Sequence, residues 1–230
     1  MDRLAVLRSF PLFKEASEER LQRLAAVSLW KTYTEGAPIW AAGDAATHLL
    51  LVRHGLVQVV RRLVSGEEAT LALFGPREHV GLVVIMDGSR YPADAVAVSN
   101  VLDAILIPAA IFLESVEDDP RLLRAAGVGV VRRAASLRAK IEILTAGEID
   151  RRLATLLLHL AERFGDEDTD GVSVVPLALT RRMLARLVGA REETVSRILS
   201  RWQRDNVAST FEGAFHLTQP ALLMSIAAGG

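Results

Sequence analysis

The period of the apolar residues changes along this chain, and each change marks a new element. The first 30 residues repeat leucine and alanine at helical spacing, most clearly in "SEERLQRLAAVSLW", where Ser17 is a natural N-cap. From Lys31 the texture shifts to short apolar or alternating runs such as "LLLVRHGLVQVVRRLV" and "ATLALFG", cut by glycines at 36, 43, 55, 66, 75, 81 and 88. Short strands with regular glycine punctuation predict an antiparallel β-sandwich or roll. The run "VSNVLDAILIP" closes that region near Pro108.

A helical period resumes at about Pro120. Leu123, Gly127, Val130, Ala134, Leu137, Ile141 and Leu144 form an a/d seam, which predicts a helix paired with a second copy of itself. The segment "TAGEIDRRLATLLLHLAERFG" restarts a helix after a break, so Thr145 to Gly147 reads as a hinge. "GDEDTDG" reads as an acidic loop. Two short amphipathic helices follow in "LTRRMLARLVGAREETVSRILSRWQRDN". Thr180 is the expected N-cap, Leu184, Leu187 and Val188 the buried stripe, and Gly189 the positive-φ turn between the helices. The pair predicts a helix-turn-helix. "VASTFEGAFHLTQ" adds two short strand-like runs about Glu212-Gly213, a hairpin wing.

Composition narrows the chemistry. The 230 residues suffice for one or two cored domains. With no cysteine, disulfides, thiolate-held iron–sulfur clusters and zinc–thiolate sites are excluded. The five histidines form no tight ligand pair, and no nucleophile–base pair or phosphate loop is apparent, so no enzyme is expected. No apolar run reaches the ~18–20 residues of a membrane span. "MDRLAVLRSFPLF" lacks the pattern of a signal peptide, and a soluble cytoplasmic protein is expected.

Net charge is only -1, so affinity for nucleic acid must come from a local patch. The helix pair supplies one. Between Arg181 and Arg204 lie seven arginines and only two acids, Glu192 and Glu193. The second helix buries Val195, Ile198, Leu199 and Trp202, leaving Glu193, Ser196 and Arg197 on the other face. A carboxylate there can accept from cytosine N4, and a guanidinium can donate to guanine O6 and N7. Thr180, Arg181, Arg182, Arg191 and Arg201 are expected on phosphates.

These stretches, together with "YTEGAPIWAAGDAATHLLLVRHGLVQVV", "FGPREHVGL", "RYPADAVAVSNVLDAILIP" and "DRRLATLLLHLAE", resemble the CRP/FNR transcription regulators of bacteria over nearly the whole chain. The resemblance implies an α+β protein. A β-roll sensor domain with N-terminal helices would fill 1–118, a dimerisation helix 119–146, and a winged helix-turn-helix 147–230. It implies a homodimer on double-stranded DNA beside RNA polymerase. The dimer seam would comprise Leu123, Val130, Ala134, Leu137, Ile141 and Leu144.

Departures from the family pattern shape the effector expectation. The resemblance places the effector pocket at Gly81, Leu82, Arg90, Ala93, Asp94, Leu137 and Arg138. Members that bind cyclic AMP carry Gly-Glu where this chain has Gly81-Leu82, and Arg-Ser where it has Ala93-Asp94. Their adenine-facing polar pair is here Leu137-Arg138. Cyclic AMP is therefore not expected, and the effector is unidentified. Haem, with His48, His54 or His79 as axial ligand, and control by abundance alone stay open, as does a cyclic-nucleotide-binding module of another class. The pattern Glu193, Ser196, Arg197 resembles the FNR-like branch, which implies a palindrome of the type TTGA-N-TCAA.

Overall fold

The computed structural model describes residues 2–62, 68–167 and 172–229; Gly66 and most of the acidic loop fall outside them. The chain divides into two units, Met1–Ala135 and Ser136–Gly230.

The first unit opens with α1 (Arg3–Ser9), a 3-10 turn (Pro11–Phe13) and α2 (Glu18–Val27). Ser17 caps α2 as expected, its hydroxyl accepting from the Arg20 amide at 3.4 Å. Eight strands follow: β1 (Leu29–Thr34), β2 (Pro38–Trp40), β3 (His48–His54), β4 (Val57–Arg62), β5 (Glu68–Phe74), β6 (His79–Val80), β7 (Asp94–Ala97) and β8 (Val101–Pro108). They form two antiparallel sheets, ordered β1-β8-β3-β6 and β2-β7-β4-β5. The glycine punctuation has a steric basis at Gly55. Its φ is +85°, and a Cβ there would lie 2.4 Å from the Val101 carbonyl oxygen.

Strand β3 reads as a continuous apolar run because both its faces are covered. Leu50 and Val52 point into the core between the sheets, with Tyr33, Val57, Ala95 and Leu102. Leu49 and Leu51 face a second core with Leu7, Phe10, Phe13, Leu24 and Phe112. This second core includes α4 (Ala109–Asp118), a helix the sequence pattern did not separate. "AAIFLESVED" follows the apolar β8 directly, after Pro108 at the strand's end, and the change of period is lost in one apolar stretch.

Between β6 and β7 lies α3 (Leu82–Asp87), entered through Gly81 at φ +96°. The long helix α5 (Pro120–Thr145) begins at Asp119, a buried carboxylate that accepts from the Arg121 amide at 2.9 Å and the Leu122 amide at 3.3 Å. Its other oxygen accepts from the Ser17 amide at 2.9 Å, so one side chain starts α5 and ties it to the entry of α2. Further along, Gly129 packs within the first unit against β6 and α3. A Cβ there would come within 2.7 Å of Leu82 Cδ2 and 2.9 Å of His79 Nε2.

The expected seam is largely open. Leu123, Leu137, Ile141 and Leu144 are 49%, 46%, 63% and 39% exposed, and Ala134 is exposed. One position shifts. Val130 packs partly against the helical core, and its neighbour Val131 is the valine that stands out, 69% exposed. The stripe is therefore wider than a strict a/d line.

The second unit continues α5 and adds α6 (Ile149–Phe164), β9 (Asp166–Glu167), β10 (Ser173–Val175), α7 (Arg181–Val188), α8 (Glu192–Arg204), β11 (Ala208–Phe211), β12 (Ala214–Leu217) and α9 (Pro220–Ala228). Gly147, at φ +86°, sits in the break between α5 and α6. The expected hairpin is half of a four-stranded sheet, ordered β11-β12-β10-β9. Leu153, Leu157, Leu184, Val188, Val195, Trp202, Leu217 and Leu223 are buried. Among the described residues, no helix is long and apolar enough to cross a membrane.

Candidate nucleic-acid interface

The helix pair is built from local signals. Thr180 adopts extended backbone, and its hydroxyl accepts from the Met183 amide at 3.2 Å, capping α7. Gly189 is left-handed at φ +66°, ψ +45°, ending α7 and turning the chain into α8. Helix α8 carries Glu192 and Glu193 in its first turn and Arg201 and Arg204 in its last, the arrangement that complements the helix dipole. Its buried residues are Val195, Leu199 and Trp202, with Ile198 half-buried.

That burial leaves the expected reading face outward. Glu193 and Arg197 are exposed, and Ser196 is half-buried between them. Arg197 Nη2 donates to Glu193 Oε1 at 2.9 Å. Both side chains are about three-quarters exposed, so the pair is worth no more than ~1 kcal/mol and opens cheaply.

The expected phosphate set divides. Arg191 is exposed at the N-cap of α8. Arg182 pairs with Glu192 at 3.3 Å, and Arg201 with Asp150 of α6 at 3.4 Å. Both guanidiniums thus already have a carboxylate partner within their own unit. Arg181 is half-buried, and its Nη1 is enclosed without a hydrogen-bond acceptor. The wing turns at Glu212 and Gly213, at φ +48° and +77°, a left-handed pair that suits a two-residue hairpin loop. Phe211 beside that turn is 63% exposed and meets His216 edge-on at 6.1 Å.

The sensor residues are used differently. Leu82 and Ala93 are buried. Asp94 accepts from the Ala42 amide at 2.7 Å, and Arg90 donates to the Gly43 carbonyl at 2.8 Å, so both hold the 41–44 loop. Trp40 stacks on Tyr91 with ring centres 4.1 Å apart and donates to the Ala93 carbonyl at 3.2 Å. Tyr91 in turn donates to the His48 carbonyl at 2.9 Å, and burial pushes its hydroxyl up to about 12. Leu137 and Arg138 lie in the second unit, both exposed, with Arg138 3.6 Å from Glu142.

Of the candidate haem ligands, His48 shares a hydrogen bond with Thr47 at 2.9 Å and His54 is exposed at the end of β3. Burial, with a smaller push from Arg132, holds His79 down at about 4, so its ring is neutral. Among the described residues no group of three or more His, Cys, Asp or Glu side chains is placed to hold a metal ion.

Three polar residues escaped the sequence reading. Arg133 of α5 lies over the Phe74 ring at 5.2 Å. Lys140 and Arg152 reach the end of α7, as described below. A compositional signal pointed to one of them: only Lys14, Lys31 and Lys140 among 27 Lys and Arg residues are lysine.

Comparison with known proteins finds a match in each unit. Residues 30–119 match the family model of the cyclic nucleotide-binding domain, and residues 151–226 that of the Crp-like helix-turn-helix domain. The chain is 29% identical over 224 residues to the cyclic AMP receptor protein of Thermus thermophilus, covering 97% of this chain and 99% of the relative. It is 25% identical over 200 residues to the nitrogen fixation regulation protein FixK of Bradyrhizobium diazoefficiens, covering 85% and 81%. Its fold matches the solved structure of FixK2 from Bradyrhizobium japonicum at a TM-score of 0.77, with 20% identity, covering 89% of this chain and 99% of that one.

Proposed function

Because the chain belongs to the CRP/FNR family of DNA-binding transcription regulators, which are not enzymes, we propose that it acts as a homodimer reading a palindromic TTGA-N-TCAA-like operator. The observation that carries this reading is the outward face of α8, where Glu193, Ser196 and Arg197 stand together on a helix anchored by Val195, Leu199 and Trp202. Arg197 meets the guanine, Glu193 the cytosine of the opposite strand, and Ser196 the neighbouring thymine region. Thr180, Arg181, Arg182, Arg191 and Arg201 fix the register on phosphates. The open apolar stripe of α5 supports the dimer, since Leu123, Val131, Leu137, Ile141 and Leu144 together need a cover. A two-fold dimer sets its reading helices about one DNA turn, roughly 34 Å, apart.

The sensor unit takes an effector other than cyclic AMP. A relative is named for that nucleotide, but here the positions that resemble its contacts are committed to the fold. Leu82 and Ala93 are buried, and the Asp94 carboxylate holds the Ala42 amide. The dimer works in the cytoplasm, in contact with RNA polymerase.

Selection from random DNA tests the operator. The expected winners are palindromes with TTGA half-sites. TGTGA half-sites would overturn the assignment of Glu193, Ser196 and Arg197, and a non-palindromic winner would overturn the symmetric dimer. Calorimetry with cyclic AMP tests the sensor reading; micromolar binding coupled to a rise in operator affinity would overturn it.

A further inference from the structure

The last carbonyls of an α-helix have no donor within the helix, and they form the negative end of its dipole. At the end of α7 two cations meet them. Lys140 Nζ, from α5, donates to the Leu187 carbonyl. Arg152 Nη1, from α6, donates to the Val188 carbonyl at 3.4 Å. The Nε of the same guanidinium donates to the Gly147 carbonyl at 2.8 Å. One cation comes from before the break at Thr145–Gly147 and the other from after it. The turn itself also abuts α5: a Cβ on Gly189 would lie 3.4 Å from Leu144 Cδ2.

Three contacts thus hold the turn that aims α8, and two of them come from α5, the helix that carries the dimer stripe. Lys140 is more than half enclosed, and burial pulls its ammonium down to about 8. Among the described residues no carboxylate offsets that cost. Arg152 of α6 meets the same helix end, and the Arg138–Glu142 pair lies on α5 itself. A compact ammonium donates to a single buried carbonyl and leaves fewer donors unpaired than a five-donor guanidinium would.

We propose that Lys140 and Arg152 are positioning residues that set the distance between the two reading helices of the dimer, and so the spacer length between operator half-sites. They touch no base. Their effect reaches DNA only through the placement of α7 and α8 against α5. The inference rests on the dimer reading above.

The test is selection from a pool with TTGA and TCAA half-sites separated by spacers of varied length, using the full chain. The wild type should select one spacer. K140M keeps the stem and loses the ammonium; R152Q loses the fork. Each should reduce the preference for the best spacer over its neighbours about tenfold, the worth of one charge-assisted bond, with half-site bases unchanged. K140R, which keeps a cation in reach of Leu187 but brings surplus donors, should recover part of the preference. Arg197→Ala should do the reverse, relaxing the bases and keeping the spacer. The two single variants are independent, so misfolding of one, read from its thermal melt, leaves the other to decide. Wild-type spacer preference in the folded variants would overturn the proposal while leaving the dimer reading intact. A wild type with no preferred spacer would overturn both.

Discussion

The reading head and the sensor pocket spend their polar side chains in opposite ways. On α8, Glu193 and Arg197 bond to each other, in solvent, and among the described residues to no other side chain, so they can turn to a partner. Around the 41–44 loop, Asp94, Arg90, Trp40 and Tyr91 are tied to backbone groups of their own unit. A side chain that already satisfies its own fold is expensive to recruit for a ligand, because its old partner is left unpaired. The comparison teaches that position in a family pattern is a weaker guide than the partner a side chain already has.

The sharpest way to break the contrast is to remove the proposed dimer. With Glu at both Leu137 and Ile141, like charges face each other along the stripe, and sedimentation should show monomers. Loss of the linked second half-site should weaken operator binding by about 10²-fold or more; an intact dimer would remove the stripe from the argument. Next in size is Leu82→Ala in the sensor, which should cost about 2–5 kcal/mol in chemical denaturation, since Leu82 is buried against α5. A stability change near zero there would mean the pocket is open rather than filled. Arg197→Ala should cost about 1–3 kcal/mol at the operator and relax the preference at the guanine, with no change in melting. Asp94→Ala should show the opposite signature, about 1 kcal/mol of stability and unchanged DNA selection.

A smaller effect concerns pH. His79 is held at about 4 in the folded chain, below its ordinary 6.5. Between those values the unfolded chain binds the extra proton, so stability falls as pH drops from 6.5 toward 4. His79→Leu should flatten that part of the stability–pH curve, measured by denaturant midpoints.

What could be read from the sequence was local. The caps at Ser17 and Thr180, the left-handed Gly189 and the Glu212-Gly213 turn depend on a few neighbouring residues, and each took the expected form. The division into a β-rich unit, a long helix and a helix-turn-helix followed from changes of period. What escaped depended on distant partners. Nothing near Asp94 announces Ala42, and nothing near Lys140 announces Leu187, 47 residues on. The exchange of Val130 for Val131 on the open face depends on which valine the helical core claims, and a/d counting does not carry that information. The two strands beyond the wing are two and three residues long, too short to display a period.

Gly129 gives position 129 an unusual place in the chain's tolerance to change. Most helix positions accept any residue with reasonable propensity, and glycine is the poorest choice but proline. Here alanine, the best helix former, would drive a methyl into Leu82 Cδ2 and His79 Nε2. A library at this site should therefore invert the usual ranking, with glycine enriched over alanine among folded clones. The contact joins α5 to the entry of α3 through side-chain tips, Leu82 Cδ2 and His79 Nε2. A shift of Leu82 cannot be absorbed by a compressible side chain on α5, so it must move either the helix or itself.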